Sequence, residues 1–150
     1  VERIKGKVVV VTVGNSFRGD DGAGVHFGNL IREKSHCEVI EGGDAPENVA
    51  GLVVKSHPDT ILIVDAMDFG GSPGDIQLVS ADELEWSGIS THGSLRLFIN
   101  YLKNETGSLL LVLGFQPESI KLGEALSATV RASVGQSAND FIEKYTCSLC

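Results

Sequence analysis

Two kinds of apolar run alternate along this chain, and their alternation predicts its elements. Val8-Val9-Val10-Val11-Thr12-Val13 is β-branched without polar alternation, as in a strand buried on both faces of a parallel sheet. A glycine-rich turn follows, and Phe27, Leu30 and Ile31 then fall at helical spacing, which predicts a helix from about Gly22 to Lys34. The unit repeats as a short strand near Cys37 to Ile40, a turn through GGDAPEN and a helix carrying Val49, Leu52 and Val53. A third strand, Ile61-Leu62-Ile63-Val64, runs straight into Asp65. Gly-Gly and Pro-Gly turn chemistry precedes alternating Ile76 and Leu78, which suits a short edge strand whose direction the pattern leaves open, antiparallel included. Leu95, Phe98, Ile99 and Leu102 predict a helix after Thr91-His92, and Leu109 to Leu113 a buried strand. Leu126, Val130, Val134, Ala138, Phe141 and Tyr145 line a long last helix. Strands and helices in this order predict a three-layer α/β/α fold around a mostly parallel sheet of about five strands.

With 150 residues, 42% of them hydrophobic and 21% charged, residues 1–150 are expected to form a single domain, the last few as a tail. A chain this long buries roughly 68–70% of its unfolded surface and holds a core without disulfides or a structural metal. Twelve basic against twenty acidic residues give a net charge of −8, without a Lys/Arg cluster, which disfavours nucleic acid and anionic membranes as partners. The longest apolar runs fall far short of the ~20 residues of a bilayer span. Arg3, Lys5 and Lys7 precede an apolar run as in a signal peptide, but that run is short and meets Gly14-Asn15 with no small-residue cleavage site, so a cytoplasmic location is expected. Of three cysteines, Cys37 stands alone and Cys147 and Cys150 form a C-x-x-C at the chain end, so no disulfide framework follows.

Ligand sites in open α/β sheets lie beyond the carboxyl ends of the strands, so the first polar residues there carry the candidate chemistry. After the first strand come Asp20 and Asp21, after the third Asp65 and then Asp68, and His92 lies just before a helix. Asp20 is expected to cap the helix that follows, and one cap residue suffices, which leaves Asp21 the more suggestive of the pair. Asp65 has a weaker structural explanation, because an unpaired charge beside four aliphatic residues is costly. His92 is either a loop or cap residue or part of a site, whereas His26, His36 and His57 have structural surroundings. The first loop has neither G-x-G-x-x-G nor a Walker lysine, and two acids stand where a phosphate would approach. Oxygen and nitrogen donors without thiolates suit a borderline divalent ion, so the spacing supports a small metal-dependent hydrolytic or metal-sensing site.

The ordered blocks VGNSFRGDDGAGV, GGDAPEN, IVDAMDFGGSPG, STH, GFQPESI and LSATV resemble the nickel–iron hydrogenase maturation endopeptidases, most closely the subgroup that processes the large subunit of formate-hydrogenlyase-type hydrogenases. The blocks span about residues 8 to 130 in the family's order. The resemblance implies a twisted five-stranded sheet flanked by helices on both sides. It also implies an endopeptidase that removes the C-terminal extension of a hydrogenase large-subunit precursor already carrying nickel. Its metal-binding residues, carried onto this chain, are Asp21, Asp65 and His92, the three that spacing selects. The nickel is expected to arrive with the substrate, and no permanently bound cofactor is expected. Gly14, Asn15 and Gly22 match the family's glycine-rich loop, and Gln116-Pro117 matches a block to which the sequence assigns no role. Thr12 replaces a family glycine, Phe17 a leucine, and Phe115 an isoleucine, departures that bear on pocket shape and choice of precursor.

Two other classes stay open at this point. One is a nickel-dependent docking module or chaperone for the same precursor that cuts nothing. The other is a nucleoside or sugar-phosphate enzyme of similar build, which would need a phosphate site.

Overall fold

The computed structural model describes residues 4–86 and 93–146. Its strands are β1 (Val8–Val13), β2 (Glu38–Gly43), β3 (Thr60–Ala66), β4 (Ile76–Ser80) and β5 (Leu109–Phe115). Its helices are α1 (Ala23–Arg32), α2 (Ala50–Lys55), α3 (Ala81–Trp86), α4 (Gly93–Glu105) and α5 (Ala128–Thr146). Short 3-10 turns at Gly19–Gly22 and Pro46–Val49 lead into α1 and α2. The five strands lie in the order β2-β1-β3-β5-β4, all parallel except β4, which runs antiparallel to β5 at the edge. Among the described residues no helix is long and apolar enough to cross a membrane.

Strand residues alternate between two apolar layers. Val9, Val11, Ile61, Ile63 and Val112 face a layer completed by Val53 of α2, Leu84 of α3 and Leu95, Phe98 and Leu102 of α4. Val8, Val10, Leu62, Val64 and Leu111 face the opposite layer, completed by Phe27 and Ile31 of α1 and Val130, Val134 and Phe141 of α5. Burial on both faces explains why β1 and β3 read as unbroken aliphatic runs. Phe27 is the hub of the second layer, its ring centroid 5.7 Å from Phe141 in an edge-on pair and 6.3 Å from Phe115.

Three expectations change in detail. Leu30 sits at the surface of α1 while Phe27 and Ile31 are fully buried, so the inward stripe is narrower than the spacing suggests. Leu126 precedes α5 and does not line it. Helix α3 is not foreseen, because six residues are too few to show a period, with Ala81 and Leu84 its buried apolar contacts. Its start is nonetheless written in the sequence: Ser80 and Glu83 have capping-box spacing, and the Ser80 hydroxyl accepts the Glu83 N–H at 3.1 Å.

Gly24 sets how α1 meets the sheet. A Cβ there would collide with the carbonyl oxygens of Val64 and Val13, so only glycine lets the helix start rest on the ends of β1 and β3. This seat holds the loop carrying Asp20 and Asp21 over those strand ends. Gly24→Ala is therefore expected to lower unfolding free energy by about 1–3 kcal/mol, measured by urea denaturation. An unchanged midpoint would show that the seat is not tight.

Candidate active site

The loop leaving β1 is shaped by its own polar groups. Gly14, at φ 121°, donates its N–H to Gly43 O at 2.9 Å and so ties the exit of β1 to that of β2. The next amide, Asn15 N–H, donates to Asp21 Oδ2 at 2.9 Å, and Asn15 Oδ1 accepts the Phe17 N–H at 2.9 Å. Asn15 thus bends the loop forward and fastens Asp21 behind it. Asp21 lines a cleft of about 360 Å³ together with Gly14, Asn15, Arg18, Asp44 and Ile120. A larger cleft, about 750 Å³, is lined by Lys5, His57, Asp59 and Glu105 at the opposite end of the sheet. Size favours the second, but it lies where the strands begin, away from Asp21 and Asp65, and the smaller one holds the convergent polar groups.

Asp20 has a different task from its neighbour and from the one expected of it. No side chain caps the 3-10 turn or α1. Asp20 is 1% exposed, and its carboxylate accepts the N–H groups of Glu118 (2.9 Å), Ser119 (3.3 Å) and Ser127 (2.7 Å) and the Ser127 hydroxyl (2.9 Å). Four donors from the segment between β5 and α5 therefore converge on one buried carboxylate from the first loop. A charge so surrounded is well satisfied. Ser127 Oγ also accepts the Val130 N–H, so the same serine caps α5.

Asp65 is the reverse case. It closes the aliphatic run of β3, is 1% exposed, and neither of its carboxylate oxygens has a hydrogen-bond partner. Burial, then the charge of Asp21, and also that of Asp44, push its proton affinity well above the usual carboxylate range. The Ala66 N–H partly offsets this shift, though its approach falls short of a hydrogen bond. Asp21 and Asp44, which line one cleft, both add unfavourable charge at Asp65, so carboxylates that follow β1 and β2 lie near the end of β3.

Asp44 is the residue that sequence reasoning passed over. It follows β2 and Gly43, lines the cleft with Asp21, and lies 3.5 Å from the Asn15 side-chain amide. The signal was the same one that selected Asp65: the first polar side chain past the carboxyl end of a parallel strand. His92, the third expected ligand, lies outside the described residues, as do Cys147 and Cys150. It immediately precedes α4 in sequence. Among the described residues no three His, Cys, Asp or Glu side chains are grouped to hold a metal ion, so Asp21 and Asp65 need a further donor to make a metal site.

Gln116, unassigned from sequence, orders the loop that leaves Asp65. It is 7% exposed, its Oε1 accepts the N–H groups of Phe69 (2.9 Å) and Gly71 (3.1 Å), and its Nε2 donates to Asp68 Oδ1 at 3.1 Å. The Gly70 N–H and the Gln116 amide together hold the exposed Asp68 carboxyl below the usual range.

Comparison with known proteins settles the family. A hydrogenase maturation protease family model, HycI, matches residues 26–144. The hydrogenase 3 maturation protease of Escherichia coli (strain K12) is 35% identical over 130 residues, which is 84% of this chain and 83% of that protein. This chain belongs to the hydrogenase maturation protease family. The crystal structure of HycI, a nickel–iron hydrogenase maturation protease from Thermococcus kodakarensis KOD1, superposes with a TM-score of 0.81 at 34% identity, covering 91% of this chain and 90% of that one. The solution structure of the endopeptidase HycI from Escherichia coli gives a TM-score of 0.79 at 29% identity, covering 91% and 90%. As a member of the hydrogenase maturation proteases, the chain is an endopeptidase. Against the family's pattern, Phe115 is fully buried against Phe27 and so shapes the core and not the pocket, whereas Phe17 is 73% exposed beside the cleft.

Two outcomes follow from the contrast between the buried carboxylates. Asp20→Ala leaves three backbone N–H groups without their carboxylate and is expected to lower stability by about 3 kcal/mol, read by urea denaturation. Asp65 acts oppositely. In the folded chain it retains a proton that the unfolded chain has released, so this group lowers stability as pH rises from the ordinary carboxylate value of 3.8 through its raised folded value. Asp65→Asn in the presence of a chelator is expected to remove that decline and to melt above wild type at pH 7. A lower melting temperature for the variant at pH 7 would contradict the orphaned-charge account.

Proposed function

We propose that this endopeptidase removes the C-terminal extension of a nickel-loaded nickel–iron hydrogenase large-subunit precursor, and that Asp21, Asp65 and His92 grip the nickel the substrate brings. The observation that carries this reading is Asp65, a fully buried carboxylate with neither oxygen partnered and with Asp21 in electrostatic reach. An arrangement that disfavours its own charge is one that an arriving cation relieves. Family membership supports the kind of substrate, and the separate buried roles of Asp20 and Asp21 support the choice of Asp21 over its neighbour.

In the precursor the nickel is held mainly by cysteine thiolates, and this chain's oxygen and nitrogen donors add to that shell without extracting the ion. Cleavage is thereby made conditional on nickel insertion. Held by Asp21, Asp65 and His92, the substrate's nickel would supply Lewis acidity at the scissile peptide, and one of the two carboxylates would take the proton from the attacking water. Asn15 contributes by holding Asp21 through its backbone N–H. The enzyme itself needs no resident cofactor in this scheme.

The test is the intact mass of a cognate precursor after incubation with the protein, nickel-loaded and nickel-free samples side by side. Loss of one C-terminal peptide from the loaded form alone is the expected result, and equal cleavage of both forms would overturn the nickel-reading role. Asp21→Asn, Asp65→Asn and His92→Ala are each expected to slow processing at least about 100-fold. Near-wild-type processing by any one of them removes that residue from the site.

A further inference from the structure

Ile120, which lines the cleft, belongs to a set of exposed apolar side chains on the two loops beside it. Phe17 and Leu122 are each 73% exposed and Ile120 is 45% exposed. They sit on two loops, the one after β1 and the one after β5, that are strapped together backbone to backbone. Gly19 N–H donates to Glu124 O (2.9 Å), Asp20 N–H to Ser119 O (2.8 Å) and Gly123 N–H to Phe17 O (2.7 Å), and the Asp20 carboxylate adds its four bonds to the same segment. Gly19 shows how close the loops lie: a Cβ there would stand 2.6 Å from Ser119 O. The apolar tips are therefore presented on a firmly held ledge. Among the described residues the other large exposed apolar side chains, Leu30, Leu52, Ile76, Leu97 and Tyr101, are spread over α1, α2, β4 and α4.

We propose that this ledge is where the substrate polypeptide docks, taking apolar side chains that flank the bond to be cut. The inference rests on the reading of the Asp21 cleft as the cleavage site and adds the chemistry of the segment it accepts. The ledge and the cleft are continuous, because Ile120 belongs to both and Arg18, next to Phe17, also lines the cleft. An endopeptidase must lay chain on both sides of the scissile bond, and at about 3.3 Å per residue the neighbouring side chains fall within a few ångströms to about 10 Å of it. Clustered apolar surface beside a polar site marks an interaction surface. Holding it rigid in advance reduces the ordering that docking must otherwise impose.

Phe17→Ser and Leu122→Ser, singly, are to be compared with wild type and with Tyr101→Ser, an exposed apolar change near the end of α4, where the strands begin. Two readouts are used: KM and kcat for a nickel-loaded large-subunit precursor, and equilibrium binding of that precursor. The expected result is a rise of about tenfold in KM and in dissociation constant for the ledge variants. Their kcat and melting temperature are expected to change little, and Tyr101→Ser to match wild type. Loss of kcat at constant KM, or equal binding by all four proteins, overturns the proposal. Absence of any precursor binding by wild type overturns it too. If wild type binds but cuts nothing, weaker binding by the ledge variants still upholds the docking surface while the cleavage reading fails. Should sedimentation show a wild-type dimer that the ledge variants break, with precursor binding unchanged, a second copy of the chain is the occupant and the proposal falls.

Discussion

The centre of the sheet is β3, and covering it on both faces is the constraint that organises everything else. Residues 60 to 64 are fully enclosed between β1 and β5 and between the two helical layers, so no charged side chain fits along them. Polar chemistry is pushed to the strand's carboxyl end, where the helices no longer cover it completely. Asp65 stands at that boundary, enclosed like its aliphatic neighbours yet carrying a group that needs a partner. Such unrelieved polar groups persist at functional sites because the surrounding core fixes them in place.

Around that boundary, distant segments are joined by single buried polar side chains that each gather several donors. Asp20 collects four from residues 118 to 127, and Gln116 collects two backbone amides of the β3–β4 loop while donating to Asp68. Two adjacent carboxylates, Asp20 and Asp21, consequently have separate roles. One is saturated with hydrogen bonds and fastens two loops, and the other faces the cleft beside Asp44. The difference lies in environment and not in residue type, since a carboxylate surrounded by amide donors is held in a structural role.

Much of this was legible along the chain. Unbroken aliphatic runs identify β1, β3 and β5, helical spacing identifies α1, α4 and α5, and turn chemistry before Ile76 foreshadows the edge strand β4, whose antiparallel direction the pattern leaves open. The strand-end rule selects Asp21 and Asp65, and it would have selected Asp44 had it been applied to β2 as to the others. What was not legible has a common cause. The role of Asp20 depends on Ser127, 107 residues away, and that of Gln116 on amides 45 and 47 residues away. Periodicity and capping preferences are local, and Asp20 looks like a helix cap to any reading confined to its own loop.

The sequence by itself determined which segments are strands or helices, which faces are apolar, and which carboxylates stand at strand ends, because these follow from side-chain period and from the cost of burying charge. Only the tertiary structure decided which carboxylates are partnered and which are left without a partner. That depends on the donors brought near by chain folding from far along the sequence: Asp20 meets the loop after β5, while the buried oxygens of Asp65 meet no hydrogen-bond donor.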